Sequence, residues 1–379
     1  MPTIHRIATG VPQHSYEQSD IRDWMLARLD AGDRRSQKLI QLAYDRSGIL
    51  TRHSALPDFS PAPPVGDVLG LRPQDETPST GERNERYIPE CRELASRVVR
   101  DLFAPNAAEG VRAADSFCAA DVTHLVTVSC TGFSAPGIDL QLIDALALAP
   151  SVKRTHIGFM GCCAAFPALR TASDICRAHA DAVVLVVCIE LCTLHLKAGT
   201  QPDNLLSASL FADGCAAALV SSRTPAGDAA VLRLDHFATT VVPETAEDMT
   251  WSIGDEGFDM VLSSYVPRVL GASIRELLAA NLDAPLDQIR HWAVHPGGRA
   301  IVDHIQSGLG LPDEAMRHSR AVLREFGNMS SATILFVLQF LLASRPEPGP
   351  VAALAFGPGL TVETARLQVV QPDAGADAS

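Results

Sequence analysis

Three short stretches of this chain hold residue types that do chemistry when they meet. The first is GFMGCCAAFPALR, where a strand runs into Gly161 and Cys162, then small residues, then a helix. A thiol at such a turn is open to substrate, and a helix N-terminus favours its thiolate and lowers its pKa. An acyl group on that sulfur would have backbone donors near its carbonyl oxygen. Cys163 is the rival nucleophile, although the turn points it along the helix into packing. Both could equally be buried structural cysteines. The second stretch is HWAVHPGGRAIVDHI. A strand that His291 starts ends at His295, and Pro296, Gly297 and Gly298 break it before a helix. An imidazole held there could keep Cys162 ionised and donate to a substrate carbonyl. The third is REFGNMSSATILFVLQFLL, where Asn328 precedes an apolar helix. Asn328 reads either as a helix cap or as an amide donor aimed at an oxyanion.

A Cys–His–Asn set suits two reactions. Papain-type proteolysis uses that chain order, but the signature around its cysteine is missing and Cys162 lies mid-chain. The other reaction is carbon–carbon bond formation on thioesters. There the sulfur carries an acyl chain while His and Asn stabilise an enolate.

Holding three distant side chains together takes rigid layers, and the chain alternates strands with helices. Strands are expected at His124–Val128, His156–Met160, Ala182–Cys188, Ala216–Val220, His291–Val294 and Val351–Phe356. Helices are expected at Pro136–Leu148, Cys163–Ala180, Ser264–Leu282, Arg299–Gly308 and Ser330–Ala343. This pattern predicts an α/β layered fold. The 379 residues suggest two to three domains of about 150 residues, and a loop near Ser221–Gly227 divides the chain. Pro57–Glu85, rich in Pro, Gly and charge, reads as a long surface excursion, and Gln371–Ser379 as a frayed tail.

Composition narrows the function classes. With 47% hydrophobic residues the chain can build large cores, and a net charge of −13 argues against nucleic-acid and anionic-membrane partners. Nine cysteines in so long a chain suit free thiols in a reducing compartment. Cys188 and Cys192 have no second ligand pair, so no metal site is expected. No apolar run reaches the roughly 20 residues of a membrane span, and the first residues lack a leader's apolar core. The expectation is a soluble, cytoplasmic protein.

The motifs together resemble the type III polyketide synthases, the chalcone and stilbene synthase superfamily. The matching stretches are SCTGFSAPGIDLQL, GFMGCCAAFPALR, VVLVVCIEL, SLFADGCAAALV, WAVHPGGRAIVDHI, EFGNMSSATILFVL and AFGPGLTVETA, in family order. The resemblance implies a thiolase fold, an αβαβα sandwich of two similar halves, here 1–225 and 226–379, in a homodimer. It assigns Cys162 as the acyl-carrying nucleophile, with His295 and Asn328 promoting decarboxylation of malonyl-CoA. The substrates implied are acyl-CoA and malonyl-CoA, with no metal or cofactor.

Departures from the plant pattern bear on the substrate. Phe211 matches one gatekeeper, but Met260 stands where a second phenylalanine would be. Cys130 and Thr131 match cavity-lining positions, Pro358 lies in the FGPG turn, and Trp251 replaces a small residue. Of three basic positions at the CoA entrance only Arg46 is kept. Leu39 and Leu42 occupy the others, with Arg34, Arg35 and Lys38 one turn away as substitutes. Ala135 replaces a methionine that reaches the partner subunit, and the Ala135–Pro136 bond is a candidate for the cis form. TPSTGERNERYIPE and MTWSIGDEGFDM resemble microbial members that take fatty acyl starters. A long-chain fatty acyl-CoA starter and alkylpyrone or alkylresorcinol products are therefore expected, unless Cys130, Trp251 and Met260 are ordinary packing residues. The competing activity is a single condensation of the ketoacyl-ACP synthase III kind, and an acyl carrier protein is the alternative acyl donor.

Overall fold

Two strands, Val183–Leu191 and Asp213–Ser221, are buried at every position. A strand apolar on both faces needs cover on both sides, and the fold supplies it. The computed structural model describes residues 1–30, 32–60, 77–104, 117–197, 201–225, 229–262 and 266–372. Among the described residues, nine strands form one sheet. Its order is His291–Val294, Gly349–Gly357, Thr361–Val370, Val231–Val241, Thr3–Gly10, Asp213–Ser221, Val183–Leu191, His124–Ser129 and Lys153–Gly158. The sheet has a narrow waist. Thr3–Gly10 meets Val231–Val241 through only two residue pairs, Thr3 with Arg233 and Ile4 with Leu232.

Side chains alternate faces along a strand, and three cores follow from that. On one side of the waist, Val184 and Val186 face inward with Ala216 and Ala218. On the other side Val351, Ala353 and Leu367 do the same. Between them lie the helices Ala165–Ala178, contributing Phe166 and Leu169, and Thr333–Ala343, contributing Phe336 and Leu338. The second helix is buried nearly all round, as an internal helix must be. The opposite faces carry outer cores. Val183, Leu185 and Val187 pack under helices Thr80–Phe103 and Ile138–Leu146. Trp292, Val294 and Leu354 pack under Val266–Asn281 and Arg299–Leu309. The layers read αβαβα, as expected.

Several boundaries moved, and three of the changes matter most. The strand before Cys162 is Lys153–Gly158, not His156–Met160, because Phe159 adopts a left-handed φ of 58° and ends the pairing. The following helix starts at Ala165, after a 3-10 turn Gly161–Cys163. The excursion drawn over Pro57–Glu85 includes the start of the helix Thr80–Phe103, nucleated by a capping box between Ser79 and Glu82. Residues 61–76 of that excursion lie outside the described residues, as do 226–228 of the dividing loop, 263–265 and the tail from 373. The Ala135–Pro136 bond is cis.

Candidate active site

Cys162 sits in the turn because the residue before it is glycine and a proline presses on that glycine. Gly161 has φ +67°, and a Cβ there would lie 2.6 Å from Cδ of Pro358. Cys163 turns the other way, buried with Sγ on the Met160 carbonyl at 3.3 Å. A Cβ on Gly357 would meet that sulfur at 2.4 Å, so Cys163 is packed and cannot serve the cavity. Cys162 lines the cavity and is half-buried.

Asn328 and His295 arrive from the other half of the fold. Asn328 is fixed through its backbone, whose N–H donates to the Leu210 carbonyl while its own carbonyl accepts from Ala212. This pairing sets Phe211 beside Asn328. Arg52, fully buried, donates to the Ala208 and Phe211 carbonyls and braces the same turn. The Asn328 amide both accepts and donates. Oδ1 accepts from the Ser330 N–H at 2.9 Å, which leaves Nδ2 to donate to the Gly297 carbonyl at 3.3 Å. Both amide atoms lie 3.9 Å from the Cys162 sulfur. His295 ends its strand with its N–H on the Leu354 carbonyl, and its ring packs against Gly297. It is 1% exposed, and neither ring nitrogen has a protein partner.

Burial dominates the electrostatics. It pushes the Cys162 thiol up to about 11 and the His295 imidazole down to about 3. The resting pair is therefore a neutral thiol and a neutral imidazole. The expectation of a thiol depressed by the helix N-terminus does not hold, because the 3-10 turn separates the sulfur from the helix start and desolvation outweighs the local donors. Glu190, which the sequence reading passed over inside VVCIEL, adds to this. It is completely buried, accepts from the Cys130 N–H, the Thr131 hydroxyl and the Ser331 hydroxyl, and is raised to about 7 by burial. Its carboxylate binds together the three segments that surround Cys162.

One cavity of about 660 Å³ collects the predicted residues. Cys162, His295 and Asn328 line it, as do Cys130, Thr131, Phe211, Trp251, Met260, Pro358 and Arg46. Trp251 and Met260 are cross-strand partners in the hairpin Met249–Gly254 and Gly257–Leu262. Leu42, Arg46 and Arg299, all exposed, mark the opening. Arg34, Arg35 and Lys38 are exposed and do not line it. The cations that line it with Arg46 are Lys197 and Arg299, with His304 beside them, and the sequence reading missed all three. The Arg299 stem packs on Gly48, two residues after Arg46, where a Cβ would lie 3.3 Å away.

The profile of chalcone and stilbene synthase N-terminal domains matches residues 1–224, and that of the C-terminal domains matches 233–371. The chain belongs to the chalcone and stilbene synthase family of type III polyketide synthases. It is 30% identical to an "alpha-pyrone synthesis polyketide synthase-like" protein, Pks18, of Mycobacterium tuberculosis, over 97% of this chain and 91% of the relative. It is 31% identical to a 1,3,6,8-tetrahydroxynaphthalene synthase of Streptomyces peucetius, over 97% and 93%. Among solved structures it resembles PKS-I of the brown alga Ectocarpus siliculosus, with TM-score 0.85 and 30% identity over 97% and 98% of the two chains. Type III polyketide synthases are acyltransferases that condense malonyl-CoA units with decarboxylation. A layered fold of this family sets aside papain-type proteolysis.

Proposed function

We infer that this synthase loads a long-chain aliphatic acyl-CoA on Cys162, extends it with malonyl-CoA and cyclises it to an alkylpyrone or alkylresorcinol. The observation that carries this reading is the cavity wall. Leu205, Leu206, Leu210, Leu262 and the flexible Met260 line it, with Trp251 replacing a small residue. An unbranched acyl chain fits such a wall better than a polar starter. The name of the mycobacterial relative, which speaks of alpha-pyrone synthesis, agrees with a pyrone product.

Residues 1–225 bring the nucleophile, and 226–379 bring His295 and Asn328. The thiol proton passes to His295 as the starter thioester is attacked, and CoA leaves as the thiol. Malonyl-CoA then loses CO₂, and the electron pair of the broken C–C bond becomes an enolate. A ring N–H of His295 and the Asn328 Nδ2–H group stabilise its oxygen where charge develops. The enolate carbon attacks the acyl carbonyl, the C–S bond to Cys162 breaks, and the chain, two carbons longer and now a CoA thioester, is transferred back to the freed Cys162 for the next round as CoA leaves. No metal or prosthetic group enters this scheme. Arg46 and Arg299 at the opening suit the phosphates of CoA. The edge strand Lys153–Gly158, with an unpaired outer side and exposed Phe133, Phe159 and Met160 beside it, suits a homodimer contact.

The test is a mass-spectrometric product screen with malonyl-CoA and acyl-CoA starters of graded length. Tri- and tetraketide products growing in yield with aliphatic length are expected. A preference for short aromatic starters overturns the starter assignment. A single β-ketoacyl product overturns the repeated condensation, and turnover only with acyl-carrier-protein thioesters overturns CoA delivery.

A further inference from the structure

One wall of the cavity stands apart from the main sheet. Among the described residues, the hairpin Met249–Gly254 and Gly257–Leu262 pairs only with itself, as a two-stranded sheet. Its inner face gives Trp251, Phe258 and Met260 to the cavity, while Ser252, Asp259 and Val261 on the other face are exposed. A two-stranded hairpin is marginal in water by itself, so its position depends on what grips it. The first turn of the helix Thr80–Phe103 grips the tip. The Thr80 N–H donates to the Asp255 carbonyl at 2.7 Å. The Thr80 hydroxyl donates to the Gly254 carbonyl and accepts from the Gly257 N–H at 2.7 Å. One side chain thus ties both strands together at their turn. Arg83, almost one turn on, is fully buried and lies outside the cavity lining. Its Nε donates to the Pro78 carbonyl at 3.0 Å, and its Nη1 donates to the carbonyls of Leu194 and Leu196. Its stem also seats the tip: a Cβ on Gly257, where φ is +103°, would lie 3.3 Å from Nε. Between the two leucines His195 stacks on Phe258 at 3.6 Å, and the next residue after them, Lys197, pairs with Asp259 at 2.5 Å. Burying a guanidinium is costly unless its donors are used. Arg83 uses Nε and Nη1 on backbone carbonyls, which fixes the chain under the hairpin.

We propose that Thr80 and Arg83 are positioning residues for the acyl starter: by fixing the hairpin from outside the cavity, they set how long an acyl chain it accepts. The proposal rests on the polyketide reading above. Trp251 and Met260 are partners across the hairpin, so both move when its tip moves. Cys162, His295 and Asn328 do not follow the hairpin. The first two stand at the ends of main-sheet strands, and Asn328 precedes the inner helix. A displaced hairpin therefore changes the room for the acyl chain and leaves the reacting groups in place. Short starters touch little of this wall and long ones more of it, so the effect grows with starter length.

Three substitutions separate this role from a purely structural one. Thr80→Val keeps the shape and loses the hydroxyl bonds, whereas Thr80→Ser keeps the hydroxyl. Arg83→Lys keeps the charge and loses the fork. For each, kcat and KM are measured with malonyl-CoA and acyl-CoA starters of graded length. Malonyl-CoA decarboxylation without starter and the thermal midpoint are measured beside them. In Thr80→Val and Arg83→Lys the ratio of kcat/KM for long over short starters should fall by about fivefold to tenfold, the effect of one lost hydrogen bond. The change should lie in KM, with decarboxylation within about twofold of wild type, and Thr80→Ser should keep the wild-type ratio. An unchanged length preference in Thr80→Val overturns the proposal. So does an equal loss of decarboxylation and of every starter with a lowered midpoint, which marks a role in folding alone. Should Arg83→Lys fail to fold, the two Thr80 variants decide the matter. Absence of any polyketide from the wild type instead overturns the functional reading beneath it.

Discussion

Asn328 shows how one side chain serves two demands. Its oxygen accepts from the Ser330 N–H, so the amide nitrogen is left to donate to the Gly297 carbonyl, and both amide atoms lie 3.9 Å from the Cys162 sulfur. The N-cap positions fall on Met329 and Ala332 rather than on Asn328, whose oxygen instead closes a local turn on the Ser330 N–H and so holds the amide nitrogen on Gly297. Asn328→Ala should cost on the order of 1 kcal/mol of stability through the lost hydrogen bond from Ser330. It should slow malonyl-CoA decarboxylation by about 10²- to 10³-fold, the typical loss on removing one oxyanion donor. Calorimetry and CO₂ release read the two effects separately. A decarboxylation rate within twofold of wild type would show that the amide is only structural. His295, Cys162 and Asn328 were legible because each stands beside a glycine or proline break that ends its element. Glu190 was not, since nothing in VVCIEL marks a carboxyl that ties segments together, and its partners Thr131 and Ser331 are distant in sequence.

At the scale of elements, Glu190 joins the end of Val183–Leu191 to the Cys130–Thr131 loop and to Ser331 at the start of the inner helix. Its carboxyl titrates near 7 in the folded chain and near 4.5 when unfolded. The folded state thus holds a proton that the unfolded state releases between those values. Its contribution to stability therefore falls as pH rises from 4.5 to 7 and is level outside that window. Glu190→Gln keeps an oxygen for Cys130 and Thr131 and removes the titration. Relative to wild type it should gain stability across that window, by roughly 3 kcal/mol at pH 8. Urea melts at pH 4.5 and pH 8 test this, and a difference between the proteins that does not change with pH refutes it. The alternation of strands and helices was readable from apolar runs and their lengths. The start of the helix at Thr80 was not, although Ser79 and Glu82 have capping-box spacing, because Pro, Gly and charge around them read as loop. The turn at Phe159 was missed for a related reason: a left-handed φ at a non-glycine residue leaves no mark in the sequence.

For the molecule as a whole, the five layers place one half's nucleophile against the other half's donors. The motif order announced that meeting, while the sizes and walls of the cavity come from the fold. Lys197 and Arg299 reach the cavity from separate segments, which is why a search along one helix found only Arg46. The same view applies to assembly. The edge strand Lys153–Gly158 pairs with His124–Ser129 on one side only. Sedimentation equilibrium should give about twice the 40.4 kDa chain mass, and a monomer at micromolar concentration contradicts the dimer. Among the described residues no helix is long and apolar enough to cross a membrane.

The most direct measurement is to map the acyl group. The protein is incubated with a long-chain acyl-CoA, digested and sequenced by mass spectrometry, with Cys162→Ala and Cys163→Ala beside it. The account predicts the acyl mass on Cys162 in the wild type and in Cys163→Ala, and no acyl mass in Cys162→Ala. Acylation at Cys163, or polyketide formation by Cys162→Ala, contradicts it.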